Sequence, residues 1–245
     1  ILAQVLLAQA QWMLRVVRDT VKSSTWPWLG IVLSLVLFVI CKQCFIQTPR
    51  VAMEPRHAAY SVWMCPPADQ GEKMHSLIKD LAVAFNAPAF SPHVTLLGNA
   101  PKGSEEDAKV LVAKLAANLQ PFEVQVLAEI SFQDTWNQNV LLFAEESEEL
   151  LAANSKAKEV LRGEPQGVEA SFAPPSRRPH MSLIYGDHST ERRELAVSWV
   201  KEKAPWAVEG FKMQVSEIQL WGAAAGFTAA SVPDWYHVAS FRLGA

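Results

Sequence analysis

Two histidines sit in matched surroundings, His93 in Pro92-His93-Val94-Thr95-Leu96-Leu97-Gly98 and His180 in Pro179-His180-Met181-Ser182-Leu183-Ile184-Tyr185-Gly186. Each follows a proline, and each has a hydroxyl residue two places on, within an apolar run rich in strand formers. Side chains alternate along a strand, so His93 and Thr95 share one face while Val94 and Leu96 take the other. His180 and Ser182 are set apart from Met181 and Leu183 in the same way. One such tripeptide is common by chance; two with matched proline, hydroxyl and apolar neighbours point to a joint task. Near neutral pH a pair of imidazoles can hold one neutral and one protonated ring, because the unperturbed pKa is about 6.5. Such a pair serves as general base and general acid, and the adjacent hydroxyls can donate hydrogen bonds to the group on which it acts. The sequence assigns the pair to these roles without ordering them, and this chemistry requires no metal or other cofactor. His57, His75, His188 and His237 lack a hydroxyl partner two residues on in an apolar strand and are read as structural or surface residues.

The flanking sequence supplies elements to position the two motifs. Tyr60-Ser61-Val62-Trp63-Met64-Cys65 alternates as a strand stopped by Pro66-Pro67. Met74, Leu77, Ile78, Leu81 and Phe85 recur at helical spacing, predicting an amphipathic helix over 71–86. Ser104 and Asp107 read as the cap of a second helix running to about Leu119, and 146–161 as a third. Asp187 to Ser189 are expected to cap a fourth helix that ends near Lys203. Strands are expected at 122–127, 140–144, 211–221 and 236–243, with a polar bend at Gln133-Asp134-Thr135-Trp136-Asn137. Trp63, Trp136 and Trp235 are candidates to stack on a base or to shape a pocket mouth. A long irregular connection over 163–179 leads straight into His180; its Arg177 and Arg178 are read as solvated rather than as phosphate ligands.

The chain has 245 residues, half of them hydrophobic and 19% charged. Residues 1–50 carry five Lys/Arg and one Asp, which leaves 17 basic and 24 acidic residues in 51–245, a net of −7. A domain that wraps a long nucleic acid carries a basic face, so the acidic balance favours a small phosphorylated substrate instead. Residues 23–41 contain no charge and are mostly aliphatic, with Trp26 and Trp28 at one end. That predicts a transmembrane or targeting helix over 23–46, after an N-terminal helical segment over 1–22 and before a linker over 47–57. The expected localisation is a membrane anchored by this single helix with a cytoplasmic catalytic domain at 58–245, or a soluble domain once a targeting segment is removed. Cys41, Cys44 and Cys65 form no disulfide framework, and Cys41 and Cys44 lack the second ligand pair that a zinc site needs.

The doubled motif resembles that of the two-histidine phosphoesterases, and within them the plant-type cyclic phosphodiesterases. The resemblance spans about residues 57–243 and includes the first strand Tyr60-Ser61-Val62-Trp63, Tyr185 after the second motif, and Asp234-Trp235 before a last strand. It implies a bilobal, LigT-like α+β fold with pseudo-two-fold lobes and a central cleft, here preceded by an N-terminal apolar helix. It further implies His93 and His180 as catalytic residues, with Thr95, Ser182, Tyr185 and Trp63 contacting substrate. The implied activity is metal-independent hydrolysis of ADP-ribose 1'',2''-cyclic phosphate and nucleoside 2',3'-cyclic phosphates by a monomeric domain. The alternatives are a phosphodiesterase for RNA ends or 2',5'-oligoadenylates, which the acidic balance disfavours, and a membrane-tethered nucleotide binder, which has no need of both histidines.

Overall fold

A computed structural model describes residues 58–165 and 178–244. In chain order they form β1 (Ala59–Met64), α1 (Ala68–Phe85), β2 (Val94–Leu97), α2 (Glu105–Ala117), β3 (Phe122–Ser131) and β4 (Val140–Ala144). There follow α3 (Glu148–Arg162), β5 (His180–Ile184), α4 (Thr190–Lys203), β6 (Phe211–Val215), β7 (Glu217–Ala223) and β8 (Trp235–Arg242). Three of the helices begin where hydroxyl side chains can take up their free backbone N–H groups. Ser104 and Asp107 close a reciprocal capping box on α2, and Ser147 and Ser189 cap α3 and α4. The first helix starts three residues earlier than its apolar spacing predicts, at Ala68.

All pairings are antiparallel, and the eight strands lie in one sheet in the order β6-β3-β4-β5-β2-β1-β7-β8. The order is symmetric about its centre, where the two motif strands β2 and β5 adjoin. One lobe is β2-β1-β7-β8 and the other β5-β4-β3-β6. The expected single strand over 211–221 is in fact two, and they sit far apart in the sheet. Ser216 alone joins β6, at one edge, to β7, next to the other edge. One linking residue spans at most about 7 Å from Cα to Cα, so the sheet has to curl into a half-barrel to bring these strands together. The Leu243 N–H donates to the Ser216 carbonyl at 2.9 Å and fastens the same junction from β8.

The two faces of the curled sheet differ as alternation requires. Val62, Met64, Val94, Leu96, Met181 and Leu183 are buried in the main core together with Met74, Leu77, Ile78, Leu81 and Phe85 of α1. Asn154 of α3, buried beside that core, donates its Nδ2–H to the Leu96 carbonyl at 2.7 Å and ties the helix to the first motif strand. The opposite face carries Trp63, His93, Leu141, Phe143 and Ser182, all buried and all outside that core cluster. The domain is therefore α+β, with helices on one side of the sheet and a cleft on the other.

The membrane-anchored localisation expected from the sequence is corrected here. Among the described residues no helix is long and apolar enough to cross a membrane. The longest helix described, α1, has 18 residues and exposes Asp69, Glu72, Lys73, Lys79 and Asp80 on its outer face, the pattern of a helix that half faces water. The apolar helix and segments expected over 1–22, 23–46 and 47–57, with Cys41 and Cys44, lie outside the described residues.

Candidate active site

The site begins with one cross-strand pair, Val94 opposite Met181. Each is the residue immediately after its motif histidine. In an antiparallel register the neighbouring pairs follow: His93 falls across from Ser182 and Thr95 across from His180. All four have the opposite parity to Val94 and Met181 and so point into the cleft. They form a quadrilateral with the imidazoles on one diagonal and the hydroxyls on the other. Diagonal neighbours on a sheet lie about 7–8 Å apart at Cα, which leaves room for one phosphate between the side chains.

Both rings are held by the same backbone device. His93 Nδ1 lies 2.7 Å from the Ser91 carbonyl and His180 Nδ1 lies 2.8 Å from the Arg178 carbonyl. A carbonyl accepts only, so Nδ1 carries the proton in each ring and the neutral tautomer leaves Nε2 with its lone pair available. In each case the acceptor is two residues upstream, across a proline. Proline restricts the residue before it to extended conformations, which fixes that carbonyl beside the ring. Neither Ser91 nor Arg178 is marked for this role by its own side chain; the proline before each histidine is the signal that the sequence does carry.

Burial separates the two histidines. His93 is 4% exposed, and burial pushes its pKa down to about 3 against the opposing pull of the Ser91 carbonyl, with the nearby His180 charge lowering it further. His180 is half-buried; desolvation lowers its pKa too, and the Arg178 carbonyl opposes the shift. Both folded-state values thus lie below the ordinary 6.5, so the unfolded chain binds more protons than the folded one between about pH 3 and 6.5. Stability from these groups is fully present above 6.5 and falls as the solution is acidified through that window. Urea midpoints between pH 7 and 4.5 are expected to drop more steeply for the parent chain than for His93→Gln. Parallel slopes would refute the assignment of this acid sensitivity to His93.

The remaining expected site residues are distributed unevenly. Thr95 is partly exposed at its corner of the quadrilateral. Ser182 is buried, and its hydroxyl donates to the Asn137 carbonyl at 2.8 Å, so contact with a phosphate requires that proton to turn away from Asn137. Asn137 belongs to the polar bend before β4, and nothing local in the sequence connects it to β5. Strand β5 ends at Ile184, which frees Tyr185 from strand parity; its hydroxyl reaches to 3.4 Å from His93 Nε2. Burial raises the Tyr185 pKa, so the group stays a neutral phenol able to donate.

Trp63 does not present a face to the cleft. Its ring lies parallel to His93 at 3.5 Å between centroids, and Trp221 covers its other side at 4.4 Å. With 2% exposure and its Nε1–H donated to Ser61 Oγ at 2.8 Å, it has no free surface for a base. In place of the substrate contact expected of it, Trp63 backs the His93 ring. Trp136 and Trp235, by contrast, are partly exposed and meet edge to face at 6.3 Å beside Tyr185, one coming from each lobe. Cys65 donates to Gln219 Oε1, and burial raises its pKa to about 12, leaving an unreactive thiol. Of the other histidines, His188 bonds to Asn139 Oδ1 and to the Phe85 carbonyl at the end of α1, a structural task.

Two matched lobes thus each bring a histidine and a hydroxyl residue into one cleft. The sequence pattern of the family described as "Cyclic phosphodiesterase-like protein" matches residues 58–241, and the chain belongs to that family. A 2',3'-cyclic-nucleotide 3'-phosphodiesterase of Eremothecium gossypii is 27% identical over an alignment that covers 53% of this chain and 66% of that protein, just under two thirds of its length. Among solved structures, E. coli LigT in complex with 3'-AMP is 14% identical, with 77% of this chain and 99% of that one aligned at a TM-score of 0.45. TT0787 of Thermus thermophilus is 17% identical, covering 76% and 98% at a TM-score of 0.45.

Proposed function

We propose that this cyclic phosphodiesterase opens nucleoside 2',3'-cyclic phosphates and ADP-ribose 1'',2''-cyclic phosphate, with His93 as base and His180 as acid. The observation that carries the mechanism is the diagonal placement of the imidazoles, fixed by the Val94–Met181 pairing. Displacement at phosphorus is in line, so base and acid must stand on opposite sides of the phosphate, as the two ends of a diagonal do. The hydroxyls of Thr95 and Ser182 occupy the other diagonal, where the non-bridging oxygens would lie.

His93 Nε2 takes a proton from water as the water oxygen bonds to phosphorus. The bond from phosphorus to one ribose oxygen breaks, and that oxygen takes the proton from His180 Nε2. The assignment follows burial: His93 is strongly held neutral, while His180, less completely buried though also lowered by desolvation, more readily carries the proton that an anionic phosphate favours. At the end the protons have exchanged places, and exchange with solvent resets the pair. The name of the fungal relative supports a 2',3'-cyclic nucleotide as substrate and the 3' ester as the bond broken.

The test is hydrolysis of 2',3'-cyclic AMP and of ADP-ribose 1'',2''-cyclic phosphate by the full chain in EDTA, with products resolved by phosphorus NMR. Turnover of both in EDTA, and a 2'-phosphate as the sole product from 2',3'-cyclic AMP, is the expected result. Binding without turnover, or turnover only after metal is returned, would overturn the reading.

A further inference from the structure

The two halves of the site match in backbone and differ in charge. The carbonyl that holds His93 comes from Ser91, a neutral residue; the one that holds His180 comes from Arg178. Arg178 precedes β5 by two residues, and what places its side chain is Phe143, a residue of the cleft face. Its guanidinium carbon stands 4.1 Å from the centroid of the Phe143 ring, and Phe143 pairs directly across from His180. A cation is thus carried on the aromatic neighbour of one imidazole, with no counterpart described at the other.

That charge is only lightly engaged. Its carboxylate partner is Glu129 of β3, with Nη2 to Oε2 at 3.5 Å and the two side chains 37% and 50% exposed. An ion pair so long and so open to water contributes little and exchanges readily. Stacking uses the flat face of a guanidinium and leaves the N–H donors around its edge free for an anion. The surrounding chain is acidic, net −7 over 51–245, and it repels a second negative group wherever no cation is placed to meet it.

We propose that Arg178 forms a second anion subsite beside His180, which takes a phosphate or pyrophosphate that the substrate carries outside its cyclic ester. The proposal rests on the reading of His93 and His180 as the phosphate-binding pair. A site with two-fold backbone symmetry could accept a cyclic phosphate in either of two senses. Arg178 removes that ambiguity by drawing the anionic remainder of the substrate to the His180 side. The substrate class so favoured is a ribose cyclic phosphate joined to a further phosphoryl group, in preference to a plain nucleoside cyclic phosphate.

Calorimetric titration of the full chain with 3'-AMP and with adenosine 3',5'-bisphosphate, at one ionic strength, compares probes that differ by a single phosphate. The bisphosphate is expected to bind about tenfold more tightly, the scale of one good charge-assisted contact. In Arg178→Met, which keeps an apolar chain over Phe143, the ratio is expected to fall to within about twofold of unity. Glu129→Gln removes the competing carboxylate and is expected to raise the ratio about threefold, a change of sign that misfolding would not produce. A parent ratio at or below one, or a preference that survives Arg178→Met, refutes the subsite. Equal losses for both probes refute it as well, by assigning Arg178 to the support of His180. If neither probe binds the parent chain, the phosphate-site reading fails and the subsite fails with it.

Discussion

Alanine at His93 or at His180 is expected to lower kcat toward 2',3'-cyclic AMP by about 10²- to 10⁴-fold, the usual scale of general acid or base catalysis. The two losses should not add. With one proton-transfer partner gone the concerted route is broken, so the double variant is expected within about tenfold of the weaker single one. The variants should part company in stability. His93 is buried against Trp63, and its loss leaves a void; His180 is only partly buried, and its loss leaves a smaller one that water can enter. A lower unfolding midpoint for His93→Ala than for His180→Ala, with both variants still folded by circular dichroism, is the companion observation. Residual kcat within about tenfold of the parent in either variant would remove that histidine from the mechanism.

Trp63→Ala is expected to cost about 3–5 kcal/mol of folding stability, as for a large aromatic side chain deleted from a close-packed site. The ring is stacked on both faces and hydrogen-bonded at its edge, so its removal undoes two ring contacts and takes a donor from the Ser61 hydroxyl. Trp63→Phe should recover most of that loss while leaving the indole hydrogen bond unmade. Urea unfolding decides the matter: a loss below about 1 kcal/mol for Trp63→Ala would mean that the site collapses around the missing ring. Activity should fall alongside stability, because His93 loses the surface that holds its plane.

What can be read from the chain and what cannot follow from the range of each interaction. Pro92-His93-Val94-Thr95 declares a strand and its catalytic face through local alternation, and Ser104 with Asp107 declares a helix start within four residues. The pairing of Val94 with Met181 depends on two segments 87 residues apart, and no local pattern encodes that register. The same limit explains Trp63. Its type and parity mark it as a cleft residue, but its coverage by Trp221 depends on β1 pairing with β7, across most of the domain. Apolar continuity conceals the break at Ser216, since 211–215 and 217–221 each alternate normally while belonging to different lobes. Arg178 reads as solvated because its neighbours in sequence are polar or proline; Phe143, the ring on which it rests, is contributed by another strand.

The junction at Ser216 also has a mechanical meaning. Two bodies joined along one line can swing about it like the covers of a book. These lobes are joined along the β2–β5 seam, again by the single residue Ser216 that Leu243 fastens in place, and by the helices α1 and α3, which pack on β5 and β2 across the seam. Swinging them apart would strain the chain at Ser216, strip pairing from the seam or unpack the helices that bridge it. The spacing of the imidazoles is therefore a dimension of the scaffold, present before any substrate arrives, and binding energy need not be diverted to closing the jaws.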